Sequence, residues 1–271
     1  MRKDIFLPIL AVAGGAAGFA LRMWQTASAF DGSTMLFRKG EPSTLVLIAA
    51  MLLVAAVTAV LVQGGTPVKD YRKGFYCPCA GYMTLMTAGA FLILACTALG
   101  LREFMTQLAL WKVGATLNLP VMLGLTAVLC VPAAVCVLML GKGNYRNKLP
   151  GCYPVLVMMP AYLLLPWIVA QYQENSRQPE TLIFVFGLVG LLLMELGFYF
   201  AAGFHFERIH PRMCLFCSVM GVVLTITALA DRPSLFAIVL SMGCVLLLLA
   251  QIYALARSVF GPDWPLSAEE N

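Results

Sequence analysis

Eight apolar segments, separated by short connections that hold nearly every charge, decide what this chain can become. They run over residues 5–23, 44–63, 82–99, 119–140, 153–172, 182–204, 213–230 and 235–258. Most reach the ~20 residues that a helix rising ~1.5 Å per residue needs to cross ~30 Å of hydrocarbon. In lipid, only helices and closed barrels satisfy their own backbone, and these segments lack the alternation of barrel strands. The expected fold class is all-α: a polytopic membrane helical bundle of about eight transmembrane helices. Residues 1–271 then form one integral membrane domain in contact with the lipid bilayer.

The balance of residue types agrees and excludes other classes. The chain is 61% hydrophobic and 11% charged, where a soluble domain carries about 25% charged residues. Its net charge of +5 is modest and its positives are scattered, so no nucleic-acid partner is expected. The start, Met1, Arg2 and Lys3, is that of a signal peptide, but the apolar run continues through Leu21 without a cleavage pattern. A retained first helix is expected.

Orientation follows from lysine and arginine. With eight spans, one side holds Arg2, Lys3, Lys69, Arg72, Lys73, Lys142, Arg146, Lys148, Arg208, Arg212 and Arg257, eleven of the 18. The other side holds Arg22, Arg38, Lys39, Arg102, Lys112, Arg177 and Arg232, the remaining seven of the 18. The positive-inside rule places both termini in the cytoplasm.

The chain admits a parallel 4+4 repeat. Its third span ends TALGLR at Arg102 and its seventh ends TALADR at Arg232, and cysteine pairs precede both, Cys77/Cys79 and Cys214/Cys217. The first and fifth spans then correspond, and both carry helix-interrupting residues: Pro8, Gly14, Gly15 and Gly18 in one, Pro154, Pro160 and Pro166 in the other. Broken helices at matching positions point to a transporter's central site. The stretch from Gly14 to Gly18 equally fits the small-xxx-small rule for close helix packing. In the connection after the third span, Leu101, Phe104, Leu108 and Trp111 recur at helical spacing. They suit either an amphipathic helix in the membrane interface or an extension of the next span.

Glu195 is the acidic residue well inside a span, near the middle of the sixth. A carboxylate there costs at least ~2.5 kcal/mol on insertion scales and needs a partner, a water-filled cavity or a proton. Tyr199, four residues on, shares its helical face and brings a hydroxyl within reach. A cation or proton site is one reading, inter-helix glue the other. A second constellation is thiol and imidazole. Cys77 and Cys79 precede the third span, while Cys214 and Cys217 begin the seventh, just after His205 and His210. Such ligands suit zinc, copper(I) or an iron–sulfur (Fe-S) cluster, or dithiol redox chemistry. The alternative is that they pack as small hydrophobes. The segment 204–212 gathers aromatic, charged and imidazole groups that could anchor a loop or receive a partner. No Walker motif, HExxH or Ser–His–Asp arrangement is found, so ATP-driven work would need a separate ATPase partner subunit, and no reaction can be named.

The stretch GGAAGFALRMWQTASAFD, residues 14–31, resembles the opening of a group of uncharacterised bacterial multi-pass membrane proteins. Arg22, Trp24, Gln25, Phe30 and Asp31 are its more specific positions. The resemblance implies a bacterial inner-membrane setting and brings no function. In that stretch Arg22 and Trp24 suit an outer interface, with Asp31 as an alternative partner for Arg22.

The leading expectation is a permease-like bundle that binds or moves a small solute or ion. Glu195 with Tyr199 would carry charge, and Gly14, Gly15, Pro160 and Pro166 would supply broken-helix geometry. A thiol or metal site at Cys77, Cys79, Cys214 and Cys217, with His205 and His210 as auxiliaries, is the alternative. A structural or assembly subunit is a third.

Overall fold

The structure is a computed structural model that describes residues 2–31, 36–38, 40–66, 68, 70–111, 118–175, 181–206 and 208–262. Eight of its helices are long and apolar enough to cross a membrane. They are α1 (Lys3–Ala29), α2 (Pro42–Leu61), α4 (Ala80–Trp111), α5 (Asn118–Arg146), α6 (Tyr153–Asn175), α7 (Thr181–Gly203), α8 (Pro211–Ala228) and α9 (Leu235–Phe260). A ninth, α3 (Tyr71–Phe75), is one short turn between α2 and α4. The helix starts follow ordinary chemistry. Pro42 and Pro211 occupy first-turn positions where a missing N–H costs nothing, and the Ser234 hydroxyl caps α9 by accepting the Ala237 N–H.

Helices α4, α5, α6, α7, α8 and α9 neighbour one another in sequence order, and α9 returns to pack on α4. The result is a ring of six helices. Helix α1 lies against α8 and α9, and α2 lies against α1. Because the helices alternate in direction, the start of α1 and the end of α9 fall at one end of the bundle, here the terminal end; the opposite is the distal end. The short α3 rests on α9 at the terminal end, with Tyr71 and Phe75 buried and Arg72 and Lys73 exposed. Ser258 of α9 donates to the Gly74 carbonyl at 2.9 Å and fixes it there.

Three sequence expectations change. The packing does not repeat between halves: α7 lies along α8, while the corresponding α2 and α4 are not neighbours among the described residues. The first and fifth spans are unbroken helices in spite of Pro8, Pro160 and Pro166. Each proline removes one backbone donor, which a long helix absorbs. Finally, residues 101–111 continue α4, the span before them, rather than lying in the interface or extending the span after them. Phe104 holds that extension by filling the space above Gly124.

The glycines of α1 permit close approach. A Cβ on Gly15 would lie 2.8 Å from Cβ of Ile226, and one on Gly18 would meet the Thr227 hydroxyl and Met51. These contacts seat α1 on α8, the most buried span, so Gly14 and Gly15 serve helix packing. Gly15→Val is expected to destabilise the bundle by ~1–3 kcal/mol through overpacking. Gly81→Ala, whose nearest neighbour is the Cys79 sulfur at 3.8 Å, should leave it unchanged. Unfolding midpoints in detergent compare the two.

Candidate functional site

Charges inside an apolar bundle need partners, and the distal end shows how they are met. Arg22 of α1 is turned inward, its side chain 1% exposed, and its Nε donates to Oδ1 of Asp231 at 2.8 Å. Asp231 stands at the end of the short turn Leu229–Asp231 that finishes α8; Arg232, in the left-handed region at φ 54°, stops the helix there. Arg22 Nη1 also donates to Gln25 Oε1, three residues along the same face, and Gln25 Nε2 passes the bond on to Thr44 of α2 at 2.9 Å. Rings of Phe37 and Phe186 flank the guanidinium, with centroids 5.3 and 5.1 Å from Cζ. Arg22 is therefore an internal ion-pair partner rather than a headgroup anchor. Asp31 lies 3.9 Å from Arg38.

The second carboxylate oxygen of Asp231 is buried and has no hydrogen-bond partner among the described residues. It lines a cavity of about 120 Å³ between α6, α7, α8 and α9. Thr225, whose hydroxyl is also buried and without a partner among the described residues, lines the same space. Trp167, Gln171 and Glu174 enter from α6, Gly187 and Leu191 from α7, Ser234 and Ser241 from the α9 side. Among the described residues no lysine or arginine lines it. Glu103 stands just outside, accepting from Ser234 at 3.2 Å. This outer cavity offers carboxylate and hydroxyl oxygens and the indole of Trp167, a combination that attracts cations.

Nearer the terminal end the ring encloses a smaller chamber of about 30 Å³. Asn144 of α5, 3% exposed, donates from Nδ2 to the Tyr82 hydroxyl at 2.9 Å and the Tyr71 hydroxyl at 3.4 Å. Its Oδ1 is buried and without a partner among the described residues. Gln251 of α9 also lines the chamber, its Nε2 donating to the Gly197 carbonyl at 3.4 Å and facing the Cys214 sulfur at 3.6 Å. Pro160, Phe198 and Leu247 complete the wall. Burial pushes the Tyr71 phenol well above its ordinary range, so its hydroxyl keeps its hydrogen.

Glu195 lies between the two spaces. Leu191 of the outer cavity is four residues before it on α7 and Phe198 of the inner chamber three residues after, so all three share one helical face. Its Oε2 is buried and has no partner among the described residues, and the Cys244 thiol of α9 is close enough to feel its charge. Tyr199 does not join it: the ring is 54% exposed and packs on Phe200 at 5.6 Å, on a surface groove it shares with His210. Pro160 reaches the inner chamber and Pro166 is buried in α6.

The thiol and imidazole set is not drawn together. Among the described residues no three His, Cys, Asp or Glu side chains are grouped to hold a metal ion. The Cys214 thiol donates to the Gly197 carbonyl at 3.6 Å, and Cys77 and Cys217 are buried. His205 Nδ1 is 2.8 Å from the Tyr153 hydroxyl, and His210 packs edge-on to Phe200. Zinc, copper or an iron–sulfur cluster thus has no assembled donor set among the described residues. Sequence reasoning singles out Arg22 but assigns it to the interface, and it misses Asp231, Asn144, Tyr71, Tyr82 and Gln251. Apart from Gln251, which stands inside the last apolar run, these lie at or beyond the ends of apolar segments, where they read as loop residues.

Comparison with known protein families, with curated proteins and with solved structures finds no match to this chain.

Two outcomes follow from this geometry. Arg22→Leu and Asp231→Leu should each cost ~3–5 kcal/mol by stranding a buried charge, while the double variant costs clearly less than their sum. Chemical unfolding of the four proteins measures the coupling. Burial pushes the Cys77 thiol up to about 12. Set against the ~8.5 of a free cysteine, that leaves about a thousandfold less thiolate at pH 8. Maleimide should therefore label exposed Cys152 readily and Cys77 only after unfolding, as peptide mass mapping would read.

Proposed function

We propose that this eight-span membrane protein is a permease-like bundle that binds and moves a small cationic solute or ion, which enters through the outer cavity. The observation that carries the reading is Asp231 on the wall of a cavity of about 120 Å³, its Oδ2 buried and without a hydrogen-bond partner among the described residues. A buried acceptor with no donor is costly, and a ligand that brings N–H groups or positive charge removes that cost. Thr225, Glu174 and Trp167 supply further contacts of the same preference. Arg22 holds the other oxygen of Asp231, which orients the carboxylate and keeps one lone-pair face for the ligand.

Glu195 is the charge-bearing element deeper in the path, one turn beyond Leu191. Its unpartnered Oε2 supports a role in carrying a cation or proton over a role as inter-helix glue, which would use both oxygens. Coupling to protons through Glu195 needs no separate ATPase subunit. The lysine and arginine count supports an outer cavity that opens away from the cytoplasm, and the resemblance of residues 14–31 supports a bacterial inner-membrane setting.

Methylammonium uptake into proteoliposomes is the direct test. Glu174→Gln and Thr225→Val, which leave the Arg22–Asp231 pair intact, should each weaken apparent affinity by about tenfold, near 1.4 kcal/mol. Glu195→Gln should abolish uptake while methylammonium binding and the unfolding midpoint stay as in the parent. Unchanged uptake in Glu195→Gln would remove the central claim.

A further inference from the structure

We propose that the inner chamber holds one ordered water molecule, bound by Asn144, Tyr71, Tyr82 and Gln251, and that this water is the terminal-end half of the route by which Glu195 exchanges its proton. The inference rests on the reading of Glu195 as a proton carrier. Volume is the first argument. About 30 Å³ exceeds the ~10–15 Å³ that a single water centre needs, and is too small for a solute of several heavy atoms.

Hydrogen-bond accounting is the second. Both Nδ2 hydrogens of Asn144 are spent on the oxygens of Tyr71 and Tyr82. Each phenol keeps one O–H hydrogen, for which no described residue supplies an acceptor, and Asn144 Oδ1 has no donor. Gln251 directs its Nε2 to Gly197 and Cys214, which leaves Oε1 to accept. One water accepts from the two phenols and donates to Asn144 Oδ1 and Gln251 Oε1. It meets the two-to-four polar partners that a buried water requires and supplies the donor that Asn144 Oδ1 lacks among the described residues.

Position is the third argument. Phe198 and Leu247 of the chamber wall lie three residues from Glu195 on α7 and from Cys244 on α9, about 4.5 Å along each helix. On the other side α3 covers the chamber with Tyr71 and Phe75, and Arg72 and Lys73 of the same turn are exposed. For the transfer one phenol turns its O–H away from the water, so that its oxygen accepts from the water instead; the water then takes the Glu195 proton as it gives one of its own hydrogens to that phenol oxygen, and the phenol's first hydrogen passes to solvent water beyond α3. At each transfer one O–H bond breaks as the next forms, and no oxidant or reductant is involved. The titratable groups facing Glu195 from packed elements are few. Cys244 faces it from α9, Cys217 of α8 lies about a turn lower, and Tyr162 of α6 is exposed on the outer surface.

Infrared spectroscopy of the purified full chain tests this directly. Subtracting Glu195→Gln from the parent isolates the protonated-carboxyl stretch of Glu195, whose shift on transfer to D₂O times its exchange. In Asn144→Leu and in the milder Tyr82→Phe the exchange should slow by about tenfold or more. In Gly81→Ala, which touches neither space, it should keep the parent rate. Tyr82→Phe removes one hydroxyl only, so the test survives if Asn144→Leu fails to fold. Exchange within about twofold of the parent in Tyr82→Phe overturns the proposal. So does exchange that depends on sodium when choline replaces it, since the chamber would then hold a cation. Absence of any Glu195 carboxyl band overturns the proton-carrier reading itself, and this inference with it. Loss of methylammonium uptake with normal exchange kinetics instead faults the outer cavity, and the water stands.

Discussion

The ion pair between Arg22 and Asp231 is the contact on which the rest of the bundle turns. Both side chains are nearly sealed from solvent, and each alone would be a stranded charge in a medium that cannot hydrate it. Paired, they tie the distal end of α1 to the end of α8. A second pair does the same at the terminal end, where Arg257 of α9 donates to Asp4 of α1 at 3.0 Å. Eighteen residues separate Asp4 from Arg22, a helical rise of about 27 Å, close to the ~30 Å of a hydrocarbon core. The two pairs therefore sit near the two surfaces, and between them Gly15 and Gly18 let the backbone of α1 approach α8. Helix α1 is fixed at both ends and in the middle, which steadies the α8–α9 side of the ring.

Much of this architecture is legible in hydropathy. All eight spans fall where the apolar runs place them, because a stretch long enough to cross lipid must close its own hydrogen bonds as a helix. What hydropathy does not carry is which helix neighbours which, and that hides the polar partnerships. Arg22 near the end of the first apolar run reads as an interfacial anchor, since its partner is 209 residues away at the end of α8. Asp231, beside Arg232, reads as an ordinary loop charge for the same reason. Asn144 stands among Lys142, Tyr145 and Arg146 and looks like a loop residue, yet α5 runs on to Arg146 and carries it into the ring.

Glu195 stands out because it breaks an otherwise apolar run, and one of its oxygens has no partner among the described residues. Tyr199 follows the same i+4 logic on paper, but the face of α7 that turns inward passes through Leu191, Glu195, Phe198 and Ala202. A helix advances 100° per residue, so Tyr199 drifts out of that stripe toward the outer surface. The prolines show the reverse case. They mark α6 as a helix with missing donors, and Pro160 does line a polar space, but without breaking the helix.

The two enclosed spaces differ in what they can stabilise. The outer cavity has carboxylates at Asp231 and Glu174, whereas the inner chamber is lined by neutral amide and phenol groups. A positive charge leaving Asp231 toward the terminal end meets no other acidic side chain along this face of α7 until Glu195. Beyond Glu195 it meets dipoles alone. In a low-dielectric interior a bare cation is strongly disfavoured there, while a proton handed between hydrogen-bonded oxygens never exists as a separate ion. The two spaces are thus graded, with carboxylates in the distal one and neutral amide and phenol groups in the one nearer the terminal end. Glu195 stands between them on α7.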